Sequence, residues 1–151
     1  MYKPYLYTEL FILFAVIMLL HCNLTTGDEK IVDAVKQGVN VVMWFSINLA
    51  VSPETGRPII TNGPDWDCVA DRVAEIAKLN LETVHIISIG GWNSPHPDTS
   101  VSAEEAYDHW NNWNKNIVAR PDKGFYGFHG FDWDIEGMLC PVFFIHSSVY
   151  L

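Results

Sequence analysis

Between Phe128 and Gly137 the chain reads Phe-His-Gly-Phe-Asp-Trp-Asp-Ile-Glu-Gly, and the carboxylates Asp132, Asp134 and Glu136 fall at alternate positions of an otherwise apolar run. Side chains of an extended strand alternate between its two faces. The acids therefore line one face, and Phe131, Trp133 and Ile135 cover the other. Carboxylates crowded into one partly buried row repel one another, which raises the pKa of at least one and keeps a carboxylic acid protonated near neutral pH, able to donate a proton. A half-exposed strand with a merely polar face is the plainer alternative, but three acids on one short strand are costly without a task. The spacing predicts an active-site strand. A divalent cation held by the same oxygens is a further option, yet no other segment offers convincing ligands. His85, His96, His109 and His146 show no metal-binding spacing such as His-x-x-x-His and read as structural or exposed. No metal site is expected.

The elements that would position this strand follow one another in a regular order. Asp28-Glu29-Lys30 opens a short helical pattern through Ile31, Val32 and Val35, with Gly38 as its C-terminal stop. Val39 to Ala50 is a nearly continuous apolar run, as expected of a parallel strand buried on both faces. Val51 to Asn62, with Pro53, Gly56 and Pro58, reads as a loop. From Asp65 to Leu79, Trp66, Val69, Val73, Ile76 and Ala77 recur at helical spacing. Thr83 to Ile89 is the next strand, ending at Gly90-Gly91. Ser102-x-x-Glu105 is a capping box that opens a helix through Tyr107, Trp110 and Ile117, on which Trp110 and Trp113 read as packing residues. Lys123 to Gly137 leads into and contains the acidic strand. Helices and strands in alternation predict a parallel α/β architecture.

The acid row resembles the catalytic signature of the family 18 glycoside hydrolases, the chitinases and their relatives, written Asp-x-x-Asp-x-Asp-x-Glu. Three of its four acids are matched, and His129 stands where the first Asp belongs. A second family signature, Ser-x-Gly-Gly at the end of the preceding strand, is similar to Ser88-Ile89-Gly90-Gly91, followed by Trp92-Asn93. The resemblance spans roughly Asp28 to Gly137. It implies strands two to four, with flanking helices, of a partial (β/α)8 TIM barrel, a fold that typically needs ~250 residues, whereas this chain has 151. It also implies roles. Glu136 protonates the glycosidic oxygen, Asp134 orients and stabilises the acetamido group whose oxygen attacks the anomeric carbon, and Asp132 shares a proton with Asp134. This substrate-assisted retaining scheme differs from the usual two-carboxylate mechanism. The implied partner is chitin or another β-1,4-linked N-acetylglucosamine oligosaccharide, with no cofactor. Gly90 and Gly91 would let the backbone bend tightly, the Ser88 hydroxyl would bond into the acid row, and Trp92 would stack on a sugar face. A plain strand-to-loop turn and a packing tryptophan are the alternatives. A carboxylate at position 129 would extend the acid row, so the histidine there is expected to tune its titration.

A net charge of -9 disfavours nucleic acid, whose phosphates call for a basic surface. The apolar run Leu10 to Leu20, preceded by Lys3 and followed by His21-Cys22, is short for a bilayer span, which takes ~20 residues, and suits the core of a secretory signal. Thr25 and Gly27 place a cleavage point before Asp28. Residues 1–27 are thus expected to be a signal peptide or a membrane anchor, 28–137 a partial catalytic domain, and 138–151 an atypical apolar tail from truncation. The product is expected to be secreted, membrane-bound only if the leader is kept, and inactive in this truncated form. A non-catalytic chitin- or oligosaccharide-binding protein and an inactive membrane-anchored fragment are the alternatives. Barrel strand one has no candidate other than the leader run itself. Cys22, Cys68 and Cys140 impose no pairing; a Cys68–Cys140 bridge is an option in a secreted product, and a reduced, buried Cys68 is the simpler reading.

Overall fold

The computed structural model describes residues 29–95, 100–136 and 149–150. The leader run and most of the apolar tail lie outside them. Helix α1 (Glu29–Lys36) leads into strand β1 (Val41–Val51), which turns back through Ser52–Arg57 into β2 (Pro58–Thr61). Helix α2 (Trp66–Ala77) precedes β3 (Val84–Trp92), and α3 (Ala103–Trp113) precedes β4 (Gly130–Glu136). A two-residue strand, β5 (Val149–Tyr150), completes an open sheet of order β2-β1-β3-β4-β5. The three central strands are parallel, and both outer strands run antiparallel to their neighbours.

The helices begin where their side chains can bond the free N–H groups of the first turn. Asp65 Oδ1 accepts from the amides of Asp67 (2.9 Å) and Cys68 (3.2 Å), and Ser102 Oγ accepts from Glu105 N (3.1 Å). Beyond α3 the backbone widens into one π turn, Asn114–Val118. There the buried Asn114 side chain acts as a strand partner: its amide donates to Phe128 O and its carbonyl accepts from Phe128 N, both at 2.8 Å. Arg120 closes the same turn by donating to the carbonyls of Ile117, Val118 and Ala119 while its Nε pairs with Asp67 at 2.7 Å.

One apolar layer lies between sheet and helices. Val42, Trp44, Ile47, Leu49, Ile87 and Ile89 meet Val69, Val73, Ile76, Trp110 and Trp113, with Phe131 and Trp133 packed against them. Trp110 stands edge-on to Phe131 at 4.8 Å, and Trp66 edge-on to Trp113 at 5.3 Å. Between the Trp44–Ile87 and Ile47–Ile89 pairs β1 takes three residue steps against two in β3. This bulge keeps both Trp44 and Ile47 in the core, which strict alternation would forbid.

Three expectations are corrected. The sheet is mixed rather than wholly parallel, because the segment read as a loop from Val51 to Asn62 contains β2; Pro58 is tolerated there as the first residue of an edge strand. The strand expected to end before Gly90 runs on to Trp92. Cys68 is buried as expected but is disulfide-bonded, not reduced. A bridge is a long-range pairing that local spacing does not encode, and Cys22 and Cys140 lie outside the described residues.

His85, on β3, is held neutral in this core. Its Nδ1 accepts from Trp44 Nε1 at 3.3 Å, and its Nε2 lies 3.2 Å from Thr83 Oγ1. Burial, then the charge of the neighbouring His129, push its pKa down from 6.5 to about 4. The unfolded chain takes up this proton near 6.5 and the folded chain resists it until about 4. The stability contributed by neutral His85 is therefore complete above the upper value and lost as pH falls through that window, on the order of 3 kcal/mol in all. Urea unfolding across this range should show that loss for the native chain and a much flatter profile for His85→Gln, which keeps an acceptor for Trp44 without the titration.

Candidate functional site

The acid row takes its orientation from its apolar neighbours. Phe131 and Trp133 pack against the helix-side core, so alternation turns Asp132, Asp134 and Glu136 to the opposite face of the sheet. A one-residue slip would carry the acids into the core, where uncompensated charge is prohibitive. Register with β3 then decides what stands beside them. Ser88 pairs with Asp132, Gly90 with Asp134 and Trp92 with Glu136. The two sequence motifs, 40 residues apart and more, thus become neighbouring strands of one surface at the C-terminal ends of parallel β3 and β4.

Gly90 explains how the strands come so close. Its φ of +116° is a left-handed conformation, and a Cβ built there would lie 2.1 Å from the backbone oxygen of Asp134. Gly91 follows at φ +117°, with only Ser94 Oγ, 3.4 Å away, near its missing Cβ. The paired glycines therefore bend the chain inside the strand rather than in a turn after it, and Gly90 also admits the backbone of β4. Beyond them Asn93 N donates to Glu136 O at 3.2 Å, so the pairing persists past the bend.

Glu136 is exposed at the end of β4, and its pKa is raised above the ordinary 4.5. The first cause is a side-chain hydrogen bond with Asp134, the next that residue's negative charge, and the last a small loss of hydration. The expected carboxylate interaction is thus present between these two acids, carried by a hydrogen bond more than by burial. Its sign suits proton donation, since the raised group holds its proton to higher pH.

Ser88 sits on the same face and is fully enclosed at 0% exposure, but its Oγ has no hydrogen-bond partner among the described residues. The bond expected from this hydroxyl into the acid row is not made, although register places it beside Asp132. Trp92 is 67% exposed, so its indole is available at the sheet end and is not a packing residue. His129 departs from expectation. It lies at the N-terminal end of β4, on the order of 20 Å along the strand from Glu136 at ~3.3 Å per residue, and its ring stacks on His85 at 6.1 Å. Its Nδ1 accepts from His85 N at 3.0 Å, so it ties β3 to β4 and does not extend the acid row.

Asn48 belongs to the same surface and was missed in the sequence. One step past the Ile47–Ile89 pair, alternation turns it to the acid-bearing face, where it is only 6% exposed. An amide within a long apolar strand was the available signal. Among the described residues no group of His, Cys, Asp and Glu is placed to hold a metal ion, and no helix is long and apolar enough to cross a membrane. Compared with protein-family models, curated proteins and solved structures, the chain matches none.

Two measurements check this geometry. Gly90→Ala should cost at least ~3 kcal/mol, since backbone strain is joined by collision with a neighbouring strand, against ~1–3 kcal/mol for Gly91→Ala, where strain acts alone. Urea denaturation of both variants gives the order. Asp134→Ala, by removing both the hydrogen bond and the charge, should bring the Glu136 titration down toward the ordinary carboxylate range when followed by carbon NMR of the side chain.

Proposed function

We propose that the chain carries the acid-strand portion of a family 18-type glycoside hydrolase site, directed at β-1,4-linked N-acetylglucosamine polymers such as chitin. The observation that carries this reading is the β3–β4 register. It sets Ser88, Gly90 and Trp92 alongside Asp132, Asp134 and Glu136, with Glu136 hydrogen-bonded to Asp134. The open sheet is read as one arc of a (β/α)8 barrel, whose chemistry gathers at the C-terminal ends of its parallel strands.

In this reading Glu136 donates its proton to the glycosidic oxygen as the bond to the leaving sugar breaks. The nucleophile comes from the substrate: the oxygen of its own N-acetyl group attacks the anomeric carbon and forms an oxazolinium ion. Asp134, relieved of its bond to Glu136, turns its carboxylate to the acetamido N–H and stabilises the positive charge. Asp132 exchanges a proton with Asp134. Glu136, now ionised, takes a proton from the water that opens the oxazolinium, so configuration at the anomeric carbon is retained. Trp92 offers an apolar platform for a sugar ring beside the proton donor. Neutral sugar places no demand for basic charge on a chain of net charge -9. Secretion of the product, through the leader before Asp28, belongs to the same proposal.

An assay on a chromogenic chitobioside, paired with calorimetric binding of N-acetylglucosamine oligomers, tests the reading. In a chain extended by the remaining barrel strands, Glu136→Gln should lower turnover by ~10²- to 10⁴-fold, the usual worth of a general acid, and leave oligomer binding nearly unchanged. Binding without turnover in that extended chain would favour a sugar-binding protein, and absence of both would remove the proposal.

A further inference from the structure

Three asparagines hold left-handed backbone conformations: Asn62 at φ 61°, Asn80 at φ 53° and Asn93 at φ 53°. Asparagine tolerates this region better than most residues because its short side chain can bond locally. All three are exposed. They differ in the residue that follows, whose backbone nitrogen is the nucleophile that would attack the asparagine's own Cγ. Asn80 is followed by Leu81, whose branched side chain crowds that approach. Asn93 is followed by Ser94, whose N–H is engaged with the Gly91 carbonyl at 3.1 Å. Asn62 is followed by Gly63, which has no side chain and whose N–H has no backbone partner among the described residues.

The fold also prevents the residue after Asn62 from being anything but glycine. Gly63 has φ +128°, and a Cβ there would lie 2.3 Å from the Trp66 ring. Seating Trp66 over the chain where β2 passes into α2 thus keeps in place the unhindered neighbour that makes an asparagine reactive. We propose that Asn62–Gly63 is a site of spontaneous covalent modification, at which Asn62 is converted through a cyclic imide to aspartate and isoaspartate.

In the first step the Gly63 nitrogen, losing its proton to base, bonds to Asn62 Cγ, the Cγ–Nδ2 bond breaks, and ammonia leaves. Water then opens the five-membered imide at one of its two carbonyls. Opening at the backbone carbonyl gives isoaspartate, with one methylene added to the main chain; opening at the side-chain carbonyl gives aspartate. Neither route needs an oxidant, a reductant or a catalyst. Both add one negative charge three residues ahead of the Asp65 cap, but only isoaspartate lengthens the connection and lifts Gly63 from beneath Trp66. Because Trp66 stands edge-on to Trp113 at 5.3 Å and to Phe128 at 6.3 Å, that displacement reaches the aromatic core. The inference is independent of the acid row and its function.

The test is to age the native chain at mildly alkaline pH and map its peptides by mass spectrometry, with isoaspartate labelled by a carboxyl methyltransferase. The peptide containing Asn62 should convert roughly tenfold faster, or more, than those containing Asn80 and Asn93, a barrier difference of about 1.4 kcal/mol. Conversion should speed up as pH rises, and Asn62→Gln should lose the methyltransferase signal and the slow change in tryptophan emission that accompanies it. Equal rates at the three asparagines, or an intact Asn62 in folded protein under conditions that convert it in urea, would overturn the proposal.

Discussion

The parallel pairing of β3 with β4 is the contact on which the rest of the structure depends. It runs unbroken from Ile86–Gly130 to Trp92–Glu136 and joins the segments that carry Ser88-Ile89-Gly90-Gly91 and the acid row. Its two faces have opposite requirements. On one, Ile87, Ile89, Phe131 and Trp133 must be removed from water; on the other, three carboxylates must stay out of the apolar layer. Both are met in a single register, since a shift of one residue reverses them together. Gly90 adds a steric condition, because no side chain fits between its Cα and the Asp134 backbone.

The supports of this pair are distributed along its length. At the N-terminal end, His85 and His129 exchange backbone and ring contacts, and His129 N donates to His85 O at 2.8 Å. Just before β4, the Asn114 amide satisfies both backbone groups of Phe128, which enters the core before any strand partner is available. Arg120 and Lys123 bind the approach to β4 onto α2 through Asp67 and Asp71. These exposed ion pairs contribute little energy singly. Their geometric effect is to hold the segment Arg120–Phe128 so that the acid strand enters the sheet in one place.

The acid row differs in kind from the core around it. Core side chains minimise exposed area and impose few directional demands, whereas Glu136, at an exposed strand end, has its pKa raised by the Asp134 carboxyl beside it. Such an arrangement keeps one proton near the surface and leaves its carboxylates accessible. The exposed Trp92 beside it and the enclosed Ser88 beneath it make a surface graded from polar to apolar over a few residues.

The sequence by itself determined the positions of the three described α-helices and of the three parallel strands, because their signals are local: a 3.6-residue apolar period, an Asp or Ser cap, and uninterrupted β-branched and aromatic runs. It also placed Asp132, Asp134 and Glu136 on a common face, since period-two alternation needs only a strand. The tertiary structure decided what lies beyond one segment. β2 was hidden because a four-residue edge strand opening on proline is defined by pairing with Asn48–Val51, not by its own composition. The bulge that keeps Trp44 and Ile47 both inward, the oxidised state of Cys68 and the stacking of His129 on His85 each arise from a distant partner. The need for glycine at position 90 likewise comes from another strand. Local pattern sets which way a side chain points, but only the assembled chain sets what it meets there.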